Sequence, residues 1–269
     1  MVENIPMNTR QIKIFVVLIF CALGFAANVN AAARKPAGNP AQQKSQAEKP
    51  QKRTYPWTIK TIDYMYNEDA ANFSRYAKDN AELKKAPVAV FMGDSITDAW
   101  AKVRPNFFSG NNYVGRGISG QVTSQMLVRF RNDVLALKPQ VVLILAGTND
   151  VARNSGYIAE ENVVGNVISM CEIAKANSVK PIICSILPAS SYRWRPQIKS
   201  VESIAKINAM LKDYAQKNSI LYLDYFSKLA NAQKGLDPDM AKDGVHPTAA
   251  CYAIMEKMAK EAVESQLGK

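Results

Sequence analysis

The chain has 269 residues, of which 48% are hydrophobic, 21% are charged and 9% are aromatic. These proportions are typical of globular proteins and exclude a collagen-like, coiled-coil or wholly disordered chain. The formal net charge of +11 would suit a nucleic-acid or anionic-surface partner. However, one segment, residues 32–53, holds six basic residues against one acidic residue. The chain that follows is only mildly basic, so we predict no nucleic-acid partner.

Residues 1–31 are predicted to form a secretory signal peptide. Arg10 and Lys13 precede a short apolar run over residues 14–27, and small residues follow as at a cleavage site. The run is shorter than the roughly 20 residues that a membrane-spanning helix needs. We therefore predict an exported protein, periplasmic or secreted, with no membrane span after cleavage. Residues 32–53 are rich in Pro, Gln and Lys and predict a flexible basic linker, which leaves one domain over residues 54–269.

Within this domain, an amphipathic helix is predicted over residues 66–85, and short apolar runs then alternate with helical patterns. Strands that are buried on both faces of a parallel sheet have this near-continuous apolar character. The predicted strands are residues 88–92, 112–115 (the weakest), 141–146, 181–186 and 220–223. This alternation indicates an α/β fold: a single three-layer α/β/α domain around a parallel, flavodoxin-like sheet of about five strands.

Ligands of such sheets bind beyond the carboxyl ends of the strands, so the residues found there are the candidates for function. His246 is the only histidine of the chain. Asp243 precedes it by three residues, close enough to hold the imidazole in the tautomer that leaves Nε2 free to accept a proton. An exposed Asp-Gly turn with a solvated histidine is the alternative interpretation of this segment.

Three further residues at strand ends could take part in nucleophilic catalysis, either as the nucleophile or as hydrogen-bond donors to the negative charge that forms. Ser95 follows the first predicted strand and opens a helix, where a helix N-cap is its alternative role. Asn149 ends the most hydrophobic strand, and its amide can donate to a developing oxyanion, although it could equally be a turn residue. Gly120 lacks a Cβ and can bring a backbone N–H close to a ligand, or simply form a tight turn.

Residues 115–120 also match the G-x-G-x-x-G pattern of dinucleotide-binding proteins. That pattern needs a strong preceding strand and an acidic residue about 20 positions later. Here the preceding strand is the weakest, and an exported protein is a poor place for a diffusible nicotinamide, so we predict no such cofactor. A metal site is equally unsupported, because the chain has one histidine and no cysteine cluster. Cys171, Cys184 and Cys251 are predicted to be buried free thiols.

Taken together and in this order, the segments FMGDSIT, GRGISGQ, AGTND and DGVHP resemble the SGNH (GDSL-type) hydrolase family. The resemblance covers residues 87–264 and is closest to the branch of platelet-activating-factor acetylhydrolase-like and bacterial acyl-ester hydrolases. It implies a serine esterase with Ser95 as nucleophile and Asp243 and His246 as the Asp-x-x-His pair. It also implies that the Ser95 N–H, Gly120 and Asn149 form the oxyanion hole, and that no metal or cofactor is required.

We predict that the substrate is a small acylated molecule, an acetylated sugar or glycan, because the protein is exported and a loop after the fourth strand is aromatic and basic. That loop contains Tyr192, Arg193, Trp194 and Arg195, which could stack on a sugar ring or bind an acid group. Acetyl as the acyl group is implied by the family resemblance alone. Two alternatives stay open: a lipase or lysophospholipase of the same family, and a non-catalytic glycan-binding protein on this fold.

Overall fold

The computed structural model describes residue 69 and residues 71–269. The predicted signal peptide and linker lie outside the described residues, as does the start of the predicted domain. In the part that is described, no helix has the length and apolar character that crossing a membrane requires.

A single sheet of five parallel strands forms the centre of the fold, with the strand order β2-β1-β3-β4-β5. The strands are β1 (Ala89–Gly93), β2 (Tyr113–Gly117), β3 (Val141–Leu145), β4 (Lys180–Cys184) and β5 (Leu221–Leu223). All four strand pairs are parallel. The predicted α/β/α fold and its five-stranded sheet are confirmed, and each strand boundary lies within two residues of its predicted position.

The central strands are apolar at nearly every position because they are covered on both faces. In β1, Val90 and Met92 belong to one apolar core, whereas Ala89 and Phe91 belong to the other. The same alternation continues in β3, where every residue is buried. Successive side chains of a strand point to opposite faces, so a strand with two covered faces has no position left for a polar residue.

Helices cover both faces of the sheet. They are α1 (Ala77–Ala81), α2 (Ser95–Val103), α3 (Pro105–Gly110), α4 (Thr123–Asp133), α5 (Thr148–Val151), α6 (Glu160–Ala176), α7 (Ser200–Lys217), α8 (Tyr225–Leu229) and α9 (Ala249–Gln266). Helices α4, α6 and α7 contribute to the core on one face, and α2, α3, α8 and α9 contribute to the core on the other. Cys171, Cys184 and Cys251 are buried free thiols, as predicted.

The start of the domain differs from its prediction. In place of one helix over residues 66–85, a 3-10 helix (Phe73–Tyr76) leads into the five-residue helix α1. Asn72 precedes them in the left-handed conformation, with φ 54°, which is incompatible with a continuous helix. Tyr76 is the one buried residue of these two short elements, so no apolar stripe is present to hold a longer helix against the sheet.

Candidate active site

The strand order brings the ends of β1, β2 and β3 together at one edge of the sheet. Gly93, the last residue of β1, pairs with Gly117 of β2 on one side and with Leu145 of β3 on the other. The connection from β1 to β2 runs one way along the sheet, and the connection from β2 to β3 runs back past β1. The end of β1 is therefore the topological switch point of the sheet. The segments that begin at Asp94, Ile118 and Ala146 therefore start side by side.

Ser95 is the first residue of α2, directly after Asp94 at its N-cap. The Asp94 carboxylate accepts a hydrogen bond of 2.9 Å from the Ile96 N–H, so Asp94 and not Ser95 caps the helix. The backbone N–H of Ser95 belongs to the first turn, where no intrahelical acceptor is available. Its side chain and its N–H are both placed at the edge of the sheet.

His246 is held by a turn that Asp243 organises. One carboxylate oxygen of Asp243, Oδ1, accepts from the backbone N–H groups of Val245 at 3.0 Å and His246 at 2.8 Å. The other, Oδ2, lies 2.6 Å from Nδ1 of the His246 ring. The same carboxylate thus fixes both the backbone and the imidazole. The spacing of three residues is what allows one side chain to do both.

The opposite edge of the imidazole faces the serine. Oγ of Ser95 lies 2.9 Å from Nε2 of His246, across 151 residues of sequence. With the Nδ1 proton donated to Asp243, Nε2 is free to accept a proton from the Ser95 hydroxyl. Ser95, His246 and Asp243 therefore form a continuous hydrogen-bonded row, which is the arrangement that activates a serine for nucleophilic attack.

Two carboxylates beside His246 have pKa values shifted in opposite directions. Burial raises the pKa of Asp94 from 3.8 to about 6, although the Ile96 N–H and the charge of His246 act against it. For Asp243, partial burial alone would raise the pKa, but the hydrogen bonds from His246 and Val245 outweigh it and hold the pKa below 3.8. Asp243 is consequently the carboxylate that stays ionised beside the imidazole at every pH near neutral.

Gly120 lies in a tight turn that follows β2. The Gln121 N–H donates to the Ile118 carbonyl oxygen at 3.2 Å, and Gly120 has φ +80°. A turn with this hydrogen bond and a positive φ at its third residue favours glycine there. The Ile118 N–H in turn donates to the Gly93 carbonyl oxygen at 3.1 Å, which fastens the turn to the end of β1 beside Ser95.

Asn149 lies in α5, the short helix after β3, and is 4% exposed. Its Nδ2 donates to the Gln121 carbonyl oxygen at 3.0 Å, so the amide bridges the ends of β3 and β2. The neighbouring Asp150 is buried as well, and its carboxylate accepts from both the N–H and the hydroxyl of Thr123. An amide has two N–H bonds at Nδ2, so the bond to Gln121 leaves one to donate to a ligand.

A buried arginine that the sequence analysis did not single out supports this edge of the sheet. Arg129 of α4 is fully buried and donates to the Gly93 carbonyl oxygen at 3.0 Å, to Asp133 at 2.9 Å and to the Gln121 side chain. It therefore ties the strand end before Ser95 to the turn that contains Gly120. In the sequence, Arg129 and Asp133 are an ordinary i,i+4 pair, and nothing marks the pair as buried.

The aromatic and basic loop after β4 is only partly as predicted. Arg193, Trp194 and Arg195 are exposed, and Trp194 is 44% exposed. Tyr192 is instead fully buried in the core with Ile204 and Ile207. Its ring has no surface on which a sugar could stack, which corrects the prediction for this residue. The Tyr192 ring packs against the exposed indole of Trp194, with 5.3 Å between the ring centroids.

A cavity of about 370 Å³ opens next to the segment that carries Asn149. Its walls include Asp150, Arg153, Tyr157 and residues 197–199. Residues 197–199 directly follow the aromatic and basic loop that contains Trp194. Tyr157 is 71% exposed, and the Arg153 guanidinium lies 4.9 Å from the centre of its ring. Within residues 69 and 71–269, no three His, Cys, Asp or Glu side chains are grouped as ligands of a metal ion.

Comparison with known proteins assigns the chain to a family. The model described as the GDSL-like Lipase/Acylhydrolase family matches residues 91–254, which is more than half of the chain. The chain belongs to this family. The resemblance inferred from the four sequence segments is thereby confirmed.

Individual relatives are similar to this chain over different shares of its length. A solved protein from Bacteroides fragilis NCTC 9343, proposed to be an acylhydrolase, is 47% identical, with a TM-score of 0.72 over 74% of this chain and 99% of that one. An acetylxylan esterase of Geobacillus stearothermophilus is 25% identical over 62% of this chain and 90% of that protein. An uncharacterized lipoprotein of Bacillus subtilis (strain 168), YqeF, is 29% identical over 93 residues, and the match spans 38% of its length.

Proposed function

We propose that this GDSL-like acylhydrolase is an exported serine esterase that removes short acyl groups, acetyl above all, from carbohydrate. The row formed by Ser95, His246 and Asp243 is the observation on which the proposal depends, with spacings of 2.9 Å and 2.6 Å. These are the distances at which proton transfer between nucleophile and base is feasible. Membership of an acylhydrolase family supplies the reaction class.

In the proposed reaction, Oγ of Ser95 attacks the ester carbonyl carbon while its proton passes to Nε2 of His246. Asp243 keeps the imidazole oriented and stabilises its positive charge. The tetrahedral intermediate collapses when the C–O bond to the alcohol breaks, and the alcohol leaves with the proton from His246. A water molecule then gives a proton to His246 while its oxygen bonds to the acyl carbon. The bond from that carbon to Oγ of Ser95 breaks, Oγ takes the proton back from His246, and the acid is released.

The negative charge of the intermediate would be held by three donors from the switch point of the sheet. They are the backbone N–H groups of Ser95 and Gly120 and the side-chain amide of Asn149. Each donor of this kind stabilises the transition state by roughly 3–4 kcal/mol. The turn at Gly120 and the bond from Asn149 to Gln121 support this assignment, because both are fastened to the strand ends next to Ser95.

The substrate class is supported by three independent features. One relative is an acetylxylan esterase. The exposed indole of Trp194, flanked by Arg193 and Arg195, offers a stacking surface and positive charge for a sugar ring with an acid group. The basic and apolar N-terminal sequence resembles a secretory signal peptide, which supports export to a place where carbohydrate is met. Trp194 is joined to the proposed oxyanion donor Asn149 through Asn154, so carbohydrate held at its indole would lie on the Asn149 side of the site.

The proposal is tested with p-nitrophenyl esters of two to twelve carbons, an acetylated xylo-oligosaccharide and a fluorophosphonate probe. We expect the wild type to hydrolyse p-nitrophenyl acetate and the acetylated sugar and to be labelled at Ser95, and we expect the Ser95→Ala variant to lose both hydrolysis and labelling. Binding of the sugar without hydrolysis would instead identify a glycan-binding protein. Hydrolysis confined to esters of eight or more carbons would identify a lipase.

A further inference from the structure

A chain of three hydrogen bonds runs from the exposed Trp194 through Asn154 and the buried Asn149 to the backbone of Gln121. The indole Nε1–H of Trp194 donates to Oδ1 of Asn154 at 3.1 Å. Nδ2 of Asn154 donates to Oδ1 of Asn149 at 2.7 Å, and Nδ2 of Asn149 donates to the Gln121 carbonyl oxygen at 3.0 Å. Asn154 was not singled out by the sequence, and the mechanism above does not use it.

The two ends of this chain fix the direction of every bond within it. The indole N–H of Trp194 can only donate, and the carbonyl oxygen of Gln121 can only accept. Asn154 must therefore turn its Oδ1 towards Trp194 and its Nδ2 towards Asn149. Asn149 must in turn present Oδ1 to Asn154 and Nδ2 to Gln121. An asparagine amide is otherwise free to rotate by 180° and exchange its oxygen and nitrogen.

The backbone also holds Asn154 against Asn149. The Asn154 N–H donates to the Asn149 carbonyl oxygen at 3.0 Å, and the Arg153 N–H donates to the Asp150 carbonyl oxygen at 2.9 Å. Arg153 lies in the left-handed conformation, with φ 57°. This pair of bonds around a left-handed residue is the Schellman motif that ends α5. Asn154 is thus joined to Asn149 once through the backbone and once through the side chain.

We propose that Asn154 is a positioning residue that keeps the Asn149 amide turned with its N–H bonds towards the oxyanion, and that Trp194 fixes Asn154 in that role. The inference rests on the proposed function. If the Asn149 amide rotates, its oxygen faces the developing negative charge and the donor becomes a source of repulsion. Asn154 therefore acts on the rate of the chemical step through Asn149, and it does not contact the substrate.

Asn154→Ala and Asn154→Asp test the link to Asn149. Aspartate at this position can still accept from Trp194 but has no N–H to donate to Asn149. We expect kcat for p-nitrophenyl acetate to fall at least tenfold in both variants, with KM and the melting temperature close to those of the wild type. Ser155→Ala, at the exposed neighbouring residue, is the matched control and should retain the full kcat.

A double-mutant cycle separates positioning from a general structural role. Asn149→Ala alone should lower kcat by roughly 100-fold to 1000-fold, as expected for the loss of one oxyanion donor. Adding Asn154→Ala to that variant should change kcat by less than twofold, because the residue through which Asn154 acts is already gone. Trp194→Phe, which keeps a ring but loses the N–H, should lower kcat by only a few-fold.

Additive losses in the cycle, or an unchanged kcat in Asn154→Ala, would overturn the positioning role and leave the esterase proposal intact. A wild-type protein that hydrolyses no ester and takes no fluorophosphonate label would overturn the esterase proposal and this inference with it.

Discussion

The hydroxyl of Tyr252 donates a hydrogen bond of 2.7 Å to the carbonyl oxygen of Ile96. Tyr252 lies in the first turn of α9, six residues after His246, and Ile96 directly follows Ser95 in α2. One bond therefore joins the helix that follows His246 to the helix that begins at Ser95. Burial raises the pKa of Tyr252, so its hydroxyl keeps the proton that it donates.

Tyr252→Phe is expected to loosen the contact between Ser95 and His246. Loss of the hydrogen bond should lower the free energy of unfolding by about 1 kcal/mol. It should also lower kcat a few-fold, because reacting groups tolerate little displacement. Tyr225→Phe is the matched control: its hydroxyl is buried and has no hydrogen-bond partner among the described residues. Denaturant unfolding and p-nitrophenyl acetate kinetics would show whether the two variants differ as expected.

Ser95→Ala and His246→Ala are each expected to abolish ester hydrolysis while leaving the fold intact, because the proposed nucleophile and base would act as one unit. The double variant should be no less active than either single variant. The chain contains no second histidine to replace the base. Retention of more than about a hundredth of the wild-type kcat by either variant would contradict the assigned roles.

Asp94→Asn is expected to change how stability depends on pH. Because the folded pKa of Asp94, about 6, lies above its ordinary 3.8, the folded protein binds this proton more tightly than the unfolded chain does. The contribution of Asp94 to stability therefore falls as pH rises from about 4 to about 6, and it is constant above that. Two pKa units correspond to about 3 kcal/mol.

An asparagine keeps the oxygen that caps α2 but carries no charge to bury. Asp94→Asn should thus gain stability relative to the wild type between pH 4 and pH 7, by up to about 3 kcal/mol. Denaturant titrations at a series of pH values measure the difference. If that difference is the same at every pH, Asp94 titrates at its ordinary pKa and the interpretation of its burial fails.

Gly120→Ala is expected to strain the backbone without any steric clash. A Cβ at this position would have no atom within 4 Å, so the cost arises from φ +80° alone, about 1 kcal/mol. We also expect a lower kcat, because the turn would shift its N–H away from the oxyanion. Gly165→Ala is the control, since it lies in the middle of α6, has open space and should stabilise the helix.

We expect the preference for acyl chain length and the preference for the alcohol portion of the ester to depend on different parts of the protein. For p-nitrophenyl esters, kcat/KM should be highest at two to four carbons. In the part of the chain that the structure describes, no apolar lid interrupts the α/β elements to bury a longer acyl chain at roughly 0.8 kcal/mol per methylene. On the acetylated sugar, Trp194→Ala should raise KM more than Trp194→Phe, since only the latter keeps a ring for stacking. Equal KM values would assign the indole to packing.

The parts of this fold that could be predicted from sequence are those set by burial on both faces. Strands β1 and β3 are apolar throughout because two cores cover them, and runs of this kind can be recognised from the sequence alone. The contact between Ser95 and His246 could be expected only from the family resemblance, since 151 residues separate them. Asp243 and His246 could be predicted as a pair because they are only three positions apart in the sequence.

Two features could not be predicted, for different physical reasons. Tyr192 and Trp194 are both aromatic residues of one loop, yet Tyr192 is fully buried and Trp194 is 44% exposed. The path of the loop decides which ring points into the core, and no periodicity in the sequence encodes that path. Asn154 resembles any polar residue after a short helix. Its significance arises from a tertiary contact with Trp194, 40 residues later, and the sequence carries no signal for that contact.

The three-residue spacing of Asp243 and His246 has a consequence for how activity is lost. Both belong to one loop, anchored by the bond from the Thr248 N–H to the Met240 carbonyl oxygen and by the buried Val245. Ser95 and Asn149, in contrast, follow strands held between two apolar cores. Local opening of a loop costs less free energy than opening of a central sheet. On heating below the global unfolding transition, we therefore expect Asp243 and His246 to withdraw together and to return on cooling, while Ser95 stays in place.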